Sequence, residues 1–176
     1  MLASVGKTLM ELLMLRSRVR LAGFLALTFL LISTHAHASG LTFGAKVGPM
    51  QLDVSGTDDP TNAGVAVGYE FGVGLGDLGF EGEFTTTVKD GKIGGKNLNI
   101  DTVGAYATYR SPGIVYLKGR VGYVGWDAAQ TLGDSADDTS ASFGLGLGLS
   151  LKVVKFELEY TQIDDNIDFI SLGILF

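Results

Sequence analysis

The stretch SFGLGLGLSLK, Ser142 to Lys152, places Gly at 144, 146 and 148 and Leu at 145, 147, 149 and 151. Glycine weakens helices and strands alike, because it packs no side chain and loses the most backbone freedom on folding. Its return at every second position therefore marks two unlike faces, one a row of leucines and the other nearly bare. Period two is the spacing of a β-strand, whose successive side chains point to opposite sides.

The same alternation runs along the chain. Ala63, Val65, Val67, Tyr69, Phe71, Val73 and Leu75 oppose Gly64, Ala66, Gly68, Glu70, Gly72, Gly74 and Gly76. Leu41 to Gly48, Phe80 to Thr85, Thr102 to Tyr109, Val115 to Tyr123, Val154 to Thr161 and Ile170 to Phe176 repeat it, which gives eight strands and no helical stripe. The connections alternate in length. Met50 to Asn62, Val88 to Leu98, Asp127 to Thr139 and Gln162 to Ile167 are mostly longer and polar, whereas Gly76 to Gly79, Arg110 to Gly113 and Lys152 to Val153 are tight. Ser111-Pro112-Gly113 is good turn chemistry. Long loops on one side and short turns on the other describe an all-β, eight-stranded antiparallel up-and-down barrel.

Three features put the apolar face in lipid and make the barrel transmembrane. The other face mixes glycines with charges, which suits a narrow lumen better than a solvated surface. Ten residues rise about 33 Å, and a tilt of 40–45° reduces that to about 24 Å, close to the apolar band of an outer-membrane barrel. Aromatics flank the apolar face as two girdles: Phe43, Phe80, Tyr109, Phe156 and Phe176 on the turn side, Tyr123, Phe143 and Tyr160 on the loop side.

The inner face then holds a lumenal charged cluster. It draws Lys46 and Glu70 from the first two strands, Glu81 and Glu83 from the third, and Lys118 and Arg120 from the fifth. Lys155, Glu157 and Glu159 come from the seventh. Unpaired charge in a narrow lumen is costly, so these groups are expected to pair, as a candidate plug or gate. The two glycine-rich strands lie four apart in a ring of eight, leaving room for long charged side chains from their neighbours.

From Leu41 to Phe176 the chain resembles the small eight-stranded outer-membrane barrels of the OmpA/OmpX/OmpW type, a porin-like outer-membrane β-barrel group. The carriers are the alternation, the loop asymmetry and the closing strand Ile170-Ser171-Leu172-Gly173-Ile174-Leu175-Phe176. Tyr109-Arg110-Ser111-Pro112-Gly113 and Tyr116-Leu117-Lys118 also look like segments of some members. The resemblance implies a Gram-negative cell outer membrane, lipid and lipopolysaccharide as surroundings, and Ile170, Leu172, Ile174 and Phe176 as the signal read by the barrel-assembly machinery.

The start of the chain reads as a targeting segment. Lys7, Arg16, Arg18 and Arg20 precede an apolar run from Leu21 to Ile32, and Ala36-His37-Ala38 ends it as a cleavage site. Residues 1–38 are expected to be a cleaved signal peptide, begun at Met1 or Met14, and 39–176 one barrel domain. Of 13 basic and 19 acidic residues, the segment carries four basic ones and Glu11, so the remainder has 9 basic and 18 acidic, a net charge of −9. That balance argues against nucleic acid as a partner. With no cysteine there is neither a disulfide nor a cysteine zinc site.

Catalysis finds little footing. Both histidines, His35 and His37, fall in the signal, so a Ser/His constellation lacks its base. No catalytic, cofactor or metal site is expected. Gly74-Leu75-Gly76-Asp77-Leu78-Gly79 fits G-x-G-x-x-G, but a strand follows where a dinucleotide site needs a helix. The acidic run from Asp134 to Thr139 lacks the third-position ligand and sixth-position glycine of a calcium loop, so Asp58-Asp59, Asp137-Asp138 and Asp164-Asp165 read as solvated loop charges. Three classes stay open: a structural or surface-interaction barrel with acidic external loops and a charged, largely filled lumen, a small porin-like channel or uptake pore for small or apolar solutes, and a soluble periplasmic lipocalin-like binder. A closed wall leaves no free strand edge, so a monomer is expected.

Overall fold

The computed structural model describes residues 40–54, 56–130 and 135–176. The proposed signal segment and Asp134 lie outside them. Eight long strands follow one another: β1 (Gly40–Leu52), β2 (Thr61–Gly72), β3 (Asp77–Lys89), β4 (Lys96–Arg110), β5 (Val115–Gln130), β6 (Ser135–Leu151), β7 (Val154–Asp164) and β8 (Ile167–Leu175). Each pairs antiparallel with the next, and β8 pairs back with β1 to close the barrel. Closure satisfies the backbone of a wall that stands in hydrocarbon.

The apolar faces point outward. Leu145, Leu147, Val103, Val121 and Leu172 are all exposed on the outer wall. Both aromatic girdles lie there too, with Phe80 and Tyr123 among their most exposed members.

The strands are longer than their lipid-facing runs, and the expected loops are correspondingly shorter. Gln162 to Ile167 is a hairpin in which Ile167 pairs with Asp164 and only Asp165 and Asn166 turn. The hairpin of β5 and β6 continues to Ala129 opposite Ser135, so most of Asp127 to Thr139 is strand. Within Val88 to Leu98, Gly91–Ile93 folds onto Lys96–Leu98 through Gly94 and Gly95. Both glycines have positive φ, as a two-residue hairpin turn of the primed type requires. Thr57–Asp58 pairs with the same segment and straps the first loop to it. On the turn side, Val73 donates to Gly76, so the alternating run leaves the strand after Gly72 and β3 begins at Asp77. The G-x-G-x-x-G stretch is this turn followed by the first three residues of β3.

The binary pattern reverses phase along the barrel. In the lower part Val47, Val103, Tyr123, Tyr160 and Leu172 are outside. Farther up the same strands Met50, Ile100, Val124, Ile163 and Phe169 are inside and buried. Lipid surrounds the first set and water the second, so the apolar face turns inward where the membrane ends. Met50, Leu98, Ile100, Val124, Ile163, Ile167 and Phe169 form an apolar cap in the loop-side mouth, with Leu52, Ile93, Trp126 and Ala128 against it.

Candidate functional site: the lumen

Alternation places one side chain in every two on the lumenal side, and the inner face is stacked in layers below the cap. The uppermost is polar. Asn62 Nδ2 donates to the Ile100 carbonyl at 2.7 Å and to Thr85 Oγ1 at 3.2 Å, while Thr87 donates to Asn62 Oδ1 at 2.9 Å. The Thr85 and Thr102 hydroxyls share a bond of 2.8 Å. Buried hydroxyls and amides need such partners in a dry interior.

The ionic layer lies beneath. The structure brings together all nine charged residues expected there, and adds a tenth. Arg110 was expected in a turn with Ser111-Pro112-Gly113, but β4 carries it through the last inward position. Arg110 Nε lies 2.6 Å from Glu157 Oε1, Nη1 2.5 Å from Glu70 Oε1, and Nη2 3.3 Å from Glu81 Oε2. Its parity with Thr108, two residues earlier on the same face, was the available signal.

Lys46 contacts Glu83 at 2.6 Å and Glu159 at 2.8 Å. Lys118 contacts Glu159 at 2.6 Å and Glu157 at 2.9 Å. Arg120 Nη1 reaches Glu159 at 2.7 Å, Glu83 at 2.8 Å and Glu81 at 3.3 Å. Lys155 closes the lower rim on Glu70 at 2.5 Å. Five cations meet five carboxylates, so the network is neutral as a set. Nearly every member is withdrawn from solvent, where pairing is what makes buried charge tolerable.

The inner surface explains the glycines. On β6, Gly148 sits between Tyr116 and Glu157, and Gly146 between Lys118 and Glu159. The Tyr116 hydroxyl donates to Glu157 Oε1 at 2.7 Å, so its bond arches over Gly148 as the Lys118–Glu159 pair arches over Gly146. The Tyr116 ring occupies the place a Cβ at Gly148 would need. Across the barrel, Lys46 of β1 reaches Glu83 of β3 over β2, the other glycine-rich strand.

Arg120 has a further partner. Its guanidinium carbon stands 3.3 Å from the centroid of the Tyr106 ring. Nε and Nη2 have no hydrogen-bond acceptor among the described residues, and the ring face is what they lie against. Tyr106 was legible only as an inward residue of β4.

Between Lys46, Glu81, Lys118, Glu157 and Glu159 a cavity of about 10 Å³ remains. That is close to the smallest space that admits one water.

Above the cap, Asp164 accepts hydrogen bonds from Ser140, from Trp126 Nε1 at 3.1 Å and from the Asp165 amide at 2.6 Å. These bonds, Ser140 foremost, hold its carboxyl below the usual aspartate range. They tie β5, β6 and β7 together over the mouth.

Ile170, Leu172 and Ile174 share the outer face of β8, and at its lower end Phe176, just past the strand, exchanges backbone hydrogen bonds with Phe43 at 3.0 and 2.8 Å.

Residues 22–174 match the family model described as the outer membrane protein beta-barrel domain. Among solved structures the chain is similar to Ail, the attachment invasion locus protein of Yersinia pestis, in complex with the heparin analogue sucrose octasulfate. Identity is 20%, over 78% of this chain and 97% of that one, with a TM-score of 0.52. Neisserial surface protein A is similar at 19% identity, over 80% and 98%, with a TM-score of 0.58. The N-terminal β-barrel domain of OprF from Pseudomonas aeruginosa is similar at 11% identity, over 78% and 98%, with a TM-score of 0.52. At these identities the likeness is one of fold. No curated protein sequence matches the chain.

Proposed function

The chain belongs to the family of outer membrane protein beta-barrel domains, and we propose that within it this protein is a closed scaffold. Its lumen is plugged, and its loop-side extension carries out its work by contact at the cell surface. One observation carries this reading: the ionic layer spans the lumen and leaves room for about one water. The apolar cap above it seals the mouth a second time. A hydrated solute would have to displace both.

The rest of the reading follows from the wall. Lipid and lipopolysaccharide surround the outer face, the closing strand with Phe176 serves recognition during assembly, and a wall without edges suits a monomer. Among the described residues the lumenal carboxylates are all engaged by cations, which leaves them poor catalytic bases; the protein is read as non-enzymatic.

The test is single-channel conductance of the refolded barrel in a planar bilayer, beside Arg120→Ala, with folding verified by heat-modifiable migration. Silence from the folded wild type is expected. Discrete wild-type openings would overturn the scaffold and favour the channel, and larger openings in the variant would then make the ion pairs its gate.

A further inference from the structure

The wall has one interruption at the seam where the first and last strands meet. Val47 pairs with Leu172 and Met50 with Phe169, in one continuous register. Between them Gly48 and Pro49 form no bridge with Ser171 and Ile170. The reason is chemical. Phe43 exchanges hydrogen bonds with Phe176, so the odd positions of β1 are those whose amides face β8. Pro49 falls on that parity and has no N–H to donate. On its other side Pro49 still pairs with Thr61 of β2, so the gap belongs to the seam and not to the strand.

The Ile170 carbonyl, which the missing amide would have met, lies against the bare Cα of Gly48. A Cβ there would overlap that oxygen. Proline is ordinarily confined to sheet edges or bulges, because it removes a ladder bond. In a closed wall it must remove one from the interior, here between Val47 on the lipid-facing stretch and Met50 in the cap. The gap also has a particular neighbour: Met50 and Phe169, on the inner side beside it, are both fully buried in the apolar cap.

We propose that Gly48-Pro49 against Ile170-Ser171 is a hinge in the wall. Here β1 and β8 part first, opening the apolar cap sideways at the level where the membrane ends, while the other seven seams stay paired. Below the hinge Lys46 of β1 holds Glu159 of β7 across the same seam at 2.8 Å, so the parting stops at the ionic layer and a lumen that never conducts is compatible with it.

Amide hydrogen exchange of the full barrel in lipid nanodiscs reads it directly. The amides of Val47, Gln51 and Leu172 are expected to exchange at least tenfold faster than those of the β4–β5 ladder at the same depth. Pro49→Val restores a donor and is expected to slow them to the β4–β5 rate. Equal rates at the two seams in the wild type would overturn the hinge, whether or not the variant folds. So would a folded Pro49→Val variant with unchanged seam exchange.

Discussion

Lys118 on β5 and Glu159 on β7 meet at 2.6 Å directly over Gly146 of β6, the strand that separates them. The bare Cα lets two second neighbours in the wall bond as if they were adjacent. Gly148 does the same for Tyr116 and Glu157. Gly148→Ala would put a methyl group inside the Tyr116 ring and push the hydroxyl off Glu157. A loss of about 1.5–3 kcal/mol is expected, the range for a hydrogen bond to a charged group, and Tyr116→Phe should lose a similar amount. Urea unfolding in lipid vesicles measures both, and the double variant should lose less than the sum, since the two changes remove one interaction.

Arg110 neutralises three carboxylates at once. Arg110→Met leaves Glu70, Glu81 and Glu157 with Lys118, Arg120 and Lys155 alone. Breaking a buried pair from one side costs about 3–5 kcal/mol, because the remaining charge is stranded. Asp137→Asn on the exposed hairpin should change stability by no more than about 0.5 kcal/mol in the same assay. Equal effects would mean that the lumenal pairs are hydrated rather than dry.

Leu147 faces lipid near the middle of the wall. Leu147→Arg should cost about 2–4 kcal/mol, and Tyr123→Arg, at the loop-side girdle, about 0–1 kcal/mol. Reversible unfolding from vesicles distinguishes them; the opposite order would place the membrane elsewhere on the barrel.

The latch on Asp164 predicts a pH dependence. Its folded carboxyl is held below the unfolded value, so its contribution is present at neutral pH and is lost as pH falls through the folded value. Loosening of the mouth is expected below about pH 4. Trp126 is the only tryptophan of the chain, so its emission reports the latch without labelling. A red shift on acidification, absent in Asp164→Asn, is the expected result.

Much of this was legible from spacing. Period two fixed which of Leu145 and Gly146 faces lipid, and it placed all nine expected charges in the lumen. Arg110 escaped because turn chemistry at Ser111-Pro112-Gly113 masked its parity with Thr108. The cap escaped for a deeper reason. Leu98, Ile100 and Ile163 alternate with Asn99, Asp101 and Asp164, but out of phase with the lipid-facing residues below them. Read with one fixed rule these segments look like polar loops. Read with a solvent that changes along the strand, they are the same strands continued into water.

That change of phase also fixes where the barrel can reside. A thicker bilayer would draw Gln51, Asp101 and Asp127 into hydrocarbon, and a thinner one would strand Val103 and Leu172 in water. Tilting can absorb a few ångströms of mismatch at a modest cost. Beyond that, the sequence of one wall acts as a gauge of membrane thickness, and it sorts this protein among membranes before any partner is met.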